Sequence, residues 1–227
     1  NIEDVLFVST ANDLNSAAAY AQRSPYTTIA YDGLGRMIAS RRHANGHDGV
    51  NTPFVDNARD HVDLTFYDQL DRVLMTQNAA GWTSATPTAH RTWSEYDAAG
   101  NLTQKTIVAP KNDGSGATLT RTWAWTYGTL GRVLTATDPN GWVTTYAWYA
   151  DNDPALGRRG QVQSITNPLG HVTQIAAYDA HGRPVLTVDP NGVITTLTYD
   201  QRGRLTERNA GGEVTSYVYD PAGQLTG

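Results

Sequence analysis

The phrase Tyr-Asp-x-x-Gly, followed by a polar residue and then Leu-Thr, recurs along this chain, and it restricts the fold more than any other feature. It stands complete in "YDQRGRLT" (199–206) and "YDPAGQLT" (219–226). The tyrosines that open the phrase are Tyr31, Tyr67, Tyr96, Tyr127, Tyr149, Tyr178, Tyr199 and Tyr219. The last three recur about every twenty residues, and the earlier copies are spaced more widely. The extra length lies in "ANGHDGVNTP", "PKNDGSGA" and "ADNDPALGRRG", whose Gly, Asn, Asp, Ser and Pro content marks them as loops. Self-similarity at this period implies stacked supersecondary units, each leaning on its neighbours.

Within each unit, Asp/Asn-x-x-Gly occurs a second time. The pairs are Asp32 with Gly35, Asp97 with Gly100, Asp138 with Gly141, Asn167 with Gly170 and Asp179 with Gly182, followed by Asp189 with Gly192, Asp200 with Gly203, Asn209 with Gly212 and Asp220 with Gly223. This pattern predicts type I turns in which Asp or Asn caps the first position and Gly takes a left-handed G1 bulge. Between turns lie six to eight residues, a strand length, so each unit reads as a hairpin. Segments such as "VITTLTY" (193–199) and "EVTSYVY" (213–219) are rich in β-branched and aromatic residues and have no helical period.

One apolar side chain precedes the phrase tyrosine by two residues in Ile29, Trp125, Leu197 and Tyr217, but by three in Leu64, Trp93, Tyr146 and Ile175. The second group predicts a β-bulge or a shifted turn that restores the face with one extra residue. A short helix is expected only in "DLNSAAAYAQ" (13–22). Residues 1–25 read as a divergent lead-in, and 26–227 as about eight hairpin repeats.

Composition agrees with a thin β core. Three Phe stand against twelve Tyr and six Trp, and the formal net charge is only -5. There is no cysteine, hence no disulfide, thiol nucleophile or thiolate metal site. No apolar run is long enough to span a bilayer, and "NIEDVLFVST" has no signal-peptide pattern. The acidic balance, with basic pairs only at Arg41-Arg42 and Arg158-Arg159, argues against nucleic acid as a partner.

The consensus Gly-x-Val-Thr-x-Tyr-x-Tyr-Asp-x-x-Gly-Arg-Leu-Thr, carried by "GEVTSYVYDPAGQLT" and "GVITTLTYDQRGRLT", resembles the RHS repeat, also called the YD repeat. The likeness runs from about Tyr26 to the last residue. It is weaker at Tyr67, where Asp71 replaces the Gly, and at Tyr127, where Gly128 replaces the Asp. It implies an all-β fold of meandering antiparallel hairpins in a curved strip, part of a spirally wound hollow shell. In bacterial RHS polymorphic toxins and insecticidal toxin complexes such a shell encloses a C-terminal toxic domain, and in teneurins a related barrel supports adhesion.

The implied partners are the rest of the shell, an enclosed toxin domain and a secretion-apparatus protein such as that of type VI secretion. The implied setting is a secreted or delivered bacterial protein, with this chain a segment of a longer polypeptide. The family's autoproteolytic Asp-Pro-x-Gly-Leu motif is not matched, since "DPNGV" and "DPAGQ" lack the Leu. No cofactor, metal or catalytic residue is implied, and the chain reads as no enzyme.

The residues themselves offer few competing sites. His43 and His47 have a zinc-ligand spacing, but Asn45-Gly46 between them suits a loop, so solvated histidines are expected. His61, His90, His171 and His181 fall at strand starts or turns without a partner in sequence. Trp123, Trp125 and Tyr127 alternate on one strand, and Trp82, Trp93, Trp142 and Trp148 lie elsewhere. Such rings supply apolar area to a sheet poor in Leu and Ile. The alternative is a module whose aromatic face binds a glycan or a surface protein.

Overall fold

A computed structural model describes residues 7–9, 26–43, 61–78, 90–111 and 113–226. The predicted helix at 13–22, the insertion at 44–53, His47 and Trp82 lie outside these residues. The chain divides into two compact units, Asn1–Trp123 and Ala124–Gly227.

The first unit holds β1 (Phe7–Ser9), β2 (Tyr26–Tyr31), β3 (Met37–His43), β4 (His61–Tyr67), β5 (Val73–Gln77), β6 (Arg91–Tyr96), β7 (Leu102–Pro110) and the start of β8 (Thr118–Tyr127). The second holds the end of β8, then β9 (Val133–Thr137), β10 (Val143–Trp148), β11 (Val162–Thr166), β12 (Val172–Tyr178), β13 (Pro184–Val188), β14 (Ile194–Tyr199), β15 (Leu205–Ala210) and β16 (Glu213–Ser216). Within each unit every strand lies beside its neighbours in sequence, and the paired strands are antiparallel. The described residues are thus an all-β meander, whose regular segments outside the sheet are two 3-10 turns at Thr129–Gly131 and Leu156–Arg158.

In the first unit one face is buried. The register puts Ala30, Ala39, Leu64, Gln77 and Arg91 in one cross-strand row, and Thr28, Arg41 and Val62 in the row beside it. Among the described residues, the buried ones, Thr28, Ala30, Ala39, His43, Val62 and Gln77, all belong to that face. His43 is therefore not a solvated loop histidine. It closes β3 on the buried side, with Nε2 3.0 Å from the Thr28 hydroxyl, because strand alternation turns it to the same face as Ala39 and Arg41.

In the second unit no described residue is buried. Its apolar row runs through Trp125–Ala136–Thr144, Tyr146–Ile165–Thr173 and Ile175–Thr187–Thr195–Ala210, and these side chains are half-covered. The opposite face carries a threonine row, Thr126–Thr135–Thr145–Thr166, which ends on Val172. Trp125 and Tyr127 are half-buried, as is Trp123 in the first unit. Among the described residues, the exposed aromatic side chains are Tyr31 and Phe66 in the first unit and Trp142 in the second.

Register shifts occur immediately before most phrase tyrosines. They fall at Ala30/Tyr31, Phe66/Tyr67, Glu95/Tyr96, Thr126/Tyr127 and Thr198/Tyr199, as well as at Ala147/Trp148 and on both sides of Ala177. The bulge expected only for Leu64, Trp93, Tyr146 and Ile175 is thus shared by the copies containing Ile29, Trp125 and Leu197. It belongs to the turn that follows rather than to the spacing of the apolar residue, since a hairpin carrying an extra residue offsets the strand pairing beside it.

Candidate functional site

The turns after the phrase tyrosines share one construction. At Asp32 the backbone N–H of Gly35 donates to the Asp32 carbonyl at 3.0 Å, and the Asp32 N–H donates to the Arg36 carbonyl at 2.9 Å. Asp32 Oδ1 accepts from the N–H groups of Leu34 and Arg36, each at 2.9 Å, and Gly35 sits at φ 79°. This is a type I turn closed by a G1 bulge, and a side chain at Gly35 would be strained. The same backbone closure recurs at Asp97, Asp138, Asn167, Asp179, Asp189, Asp200 and Asp220. Gly100, Gly141, Gly170, Gly182, Gly192, Gly203 and Gly223 all hold positive φ.

Three of the short turns depart from this pattern. "NAGG" is no Asn-capped type I turn: Asn209 is paired inside β15 with Val214, and Ala210 pairs with Glu213. Gly211 (φ 59°) and Gly212 (φ 99°) alone make a two-residue loop. Two consecutive left-handed glycines permit the type I′ turn, whose twist matches the strands, and Asn209 Oδ1 only accepts from the Gly212 N–H. At Asp68 the Gly position is Asp71, held at φ 62°. At Gly128 the absent carboxylate leaves the turn without a side-chain cap, and Leu130 is forced to φ 63°, ψ 21°.

Because the hairpins alternate, the phrase turns of each unit line one edge of its sheet. On that edge a ladder of Asp, Arg and Tyr joins successive repeats. Arg183 Nε donates to Asp179 Oδ2 of its own turn at 2.6 Å, and its guanidinium lies 4.6 Å from the ring centroid of Tyr199 in the next repeat. Tyr199 hydroxyl donates back to the Pro184 carbonyl at 2.9 Å, next to the arginine. Arg204 repeats this with Asp200, Tyr219 and the Leu205 carbonyl. In the first unit Arg36 and Arg72 do the same with Asp32 and Asp68, Tyr67 and Tyr96, and the carbonyls of Met37 and Val73. There the guanidinium also reaches the next turn, through Asp68 O at 3.0 Å and Asp97 O at 3.2 Å.

The arginine is thus an ion-pair donor and a cation over an aromatic face at once. Backbone N–H donation from Arg183 and Arg204 is the largest cause holding Asp179 and Asp200 below the ordinary carboxylate range, and Asp32 is lowered in the same way by Arg36. These turns therefore stay charged into mild acid.

The ladder substitutes residues where the phrase varies. Over Arg132 the ring is that of Trp148, 5.7 Å away, and its Nε1–H donates to the Val133 carbonyl at 2.8 Å. The register shift at Ala147/Trp148 hands the position to the tryptophan. Tyr149 instead carries Arg158 at 4.7 Å and donates to the Ile175 carbonyl at 3.1 Å. Tyr178 keeps its hydroxyl bond, to Val162 O at 2.7 Å, although Gln161 stands where the arginine would be. Tyr31, in the first described phrase, is exposed.

The long insertion after Tyr149 is closed like the short turns, through Tyr149 N–H to Gln161 O at 2.9 Å. Asp153 anchors Arg158, and Asp151 pairs with Arg132. Gly157 lies against the next turn so closely that a Cβ there would stand 2.2 Å from the Asp179 carbonyl oxygen.

The role of Arg36, Arg72, Arg132, Arg183 and Arg204 was visible in sequence only as recurrence after the turn's Gly position, filled by Asp71 before Arg72, and their partners one repeat away were not. Among the described residues, no group of three or more His, Asp or Glu side chains is placed to hold a metal ion. No helix among them is long and apolar enough to cross a membrane.

The model of the RHS repeat matches residues 178–214 and 203–227. A search of curated proteins finds no match. Among solved structures, the chain is similar to a chain of the TcdB2-TccC3-Cdc42 crystal structure, at 18% identity over 88% of this chain and 12% of that one, with a TM-score of 0.49. It is likewise similar to a chain of the TcdB2-TccC3 crystal structure, at 14% identity over 90% of this chain and 16% of the other, with a TM-score of 0.48. The chain spans 12% and 16% of the length of those two chains.

Proposed function

From the premise that this chain carries RHS repeats, matched over residues 178–227, we propose that it is a structural stretch of a toxin shell whose task is to enclose a toxic domain. The observation that carries this reading is the second unit's half-covered apolar face, on which no described residue is buried. A sheet of that kind has no core of its own. It gains stability from neighbouring repeats along the sheet and from whatever lies against the face. The ladder suits the task, because it links each hairpin to the next by contacts that need only repetition.

The test uses the reading frame that encodes this chain. Limited proteolysis of the purified product should leave an enclosed domain intact, while a variant carrying Arg183→Ala and Arg204→Ala exposes it to cleavage. If a domain outside the repeats is digested equally fast in both proteins, enclosure is wrong. The isolated 227-residue chain gives a second readout. It should bind a hydrophobic dye on the second unit's apolar face, whereas a chain that binds none would overturn the reading as a shell segment.

A further inference from the structure

The hairpin of β7 and β8 projects beyond its neighbour. The β6 pairing ends at Arg91 opposite Val108, whereas β7 continues to Pro110 and β8 begins at Thr118. The Lys111 N–H to Ala117 O bond, at 2.8 Å, closes the tip. The Thr106 and Thr122 hydroxyls lie 3.2 Å apart. That register sets Ile107 opposite Arg121 and Ala109 opposite Leu119, all on one face.

This face forms an open groove of 690 Å³ in the first unit, a size within the range of small-molecule sites. Its floor is apolar, from Ile107, Ala109, Pro110 and Leu119, and Leu119 is 40% exposed. Its rim carries Lys111, Arg121 and His90. Among the described residues, Lys111 and Arg121 have no carboxylate partner. They differ in this from the ladder arginines, each of which is paired with an aspartate, of its own turn for Arg36, Arg72, Arg183 and Arg204 and of the following insertion for Arg132. Among the described rim residues the one acid, Asp113, spends Oδ1 on the Ser115 N–H at 2.9 Å and on the Ser115 hydroxyl at 2.5 Å. Among the described residues, the lining has no aromatic ring on which a sugar or a base would stack.

We propose that this groove binds an apolar organic carboxylate, its hydrocarbon part lying on Ile107, Ala109 and Leu119 and its carboxylate taken by Lys111 and Arg121. Apolar contact supplies most of the affinity, because two exposed cations are screened by water and salt. The charge decides which amphiphile is accepted.

The test titrates decanoate into the whole chain, followed by amide chemical shifts, with decanol as the uncharged comparison. Saturable binding with shifts centred on Ile107, Ala109 and Leu119 is the expected result, with decanol weaker by about tenfold. The variant Lys111→Gln/Arg121→Gln should lose about tenfold for decanoate while binding decanol as before, and Arg208→Gln, on the second unit, should bind like the parent. Equal affinity for decanoate and decanol, equal affinity in the double variant, shifts centred elsewhere, or no saturation would each overturn the proposal. Arg121→Lys keeps the charge and should keep binding, so its loss would also count against the assignment.

Discussion

Gly157 tests the docking of the long insertion onto the next repeat. Its Cβ, were it present, would lie 2.2 Å from Asp179 O, 2.9 Å from Asp179 C and 3.0 Å from Tyr178 O. All three are backbone atoms, so no side chain can swing away, and relief requires the loop to lift by about an ångström or the turn to distort. Overpacking of this kind costs about 1–3 kcal/mol, and lifting the loop also loosens Arg158 from Tyr149. For Gly157→Ala we expect about 2–3 kcal/mol of destabilisation, hence a melting point lower by roughly 4–12 °C for a chain of this size.

Hydrogen exchange should quicken at the Asp179 amide, which donates to Arg183 O at 2.9 Å. Two other glycines separate contact from conformation. Gly141 has nothing within 4 Å but holds φ 84°, so Gly141→Ala should cost about 1–2 kcal/mol through backbone strain alone. Gly33 has neither contact nor positive φ, and Gly33→Ala should be neutral or gain about 0.4–1 kcal/mol. If Gly157→Ala melts within a degree of the parent with unchanged exchange at Asp179, the close packing of loop on turn is wrong.

Tyr199→Phe removes only the hydroxyl that donates to Pro184 O and should cost about 0.5–1.5 kcal/mol in urea unfolding. A cycle with Arg183→Ala should show coupling of about 0.5–1 kcal/mol, and strict additivity would refute the ladder. Leu130→Gly relieves a left-handed leucine and should stabilise by up to about 1 kcal/mol in the same assay, whereas a loss would mean that the exposed side chain packs on something. Asp32, Asp179 and Asp200 are lowered in the folded chain, so their stabilisation is complete above the unfolded carboxylate value of about 4 and is lost as pH falls through the lowered folded values. The melting point should therefore hold from neutrality to about pH 5 and drop below pH 4, and Asp179→Asn should flatten that drop.

The repetition of Tyr-Asp-x-x-Gly by itself determined the strand order. A turn that caps itself with Asp and closes with Gly needs no distant partner, so hairpins laid side by side were legible from local chemistry. Variation at single residues was legible only in part. The double glycine after Ala210 looks like another Asp-x-x-Gly turn until pairing shows Asn209 inside the strand, because register is a property of two strands and not of one. His43 reads as a loop residue for the same reason. What only the tertiary structure decided is everything that crosses from one repeat to the next: the guanidinium over the following ring, Trp148 taking the place of Tyr149, and Gly157 against Asp179. These contacts join residues that are neighbours in space because a meander returns each turn to the same edge, and a single sequence records the spacing of such residues but not which of their faces meet.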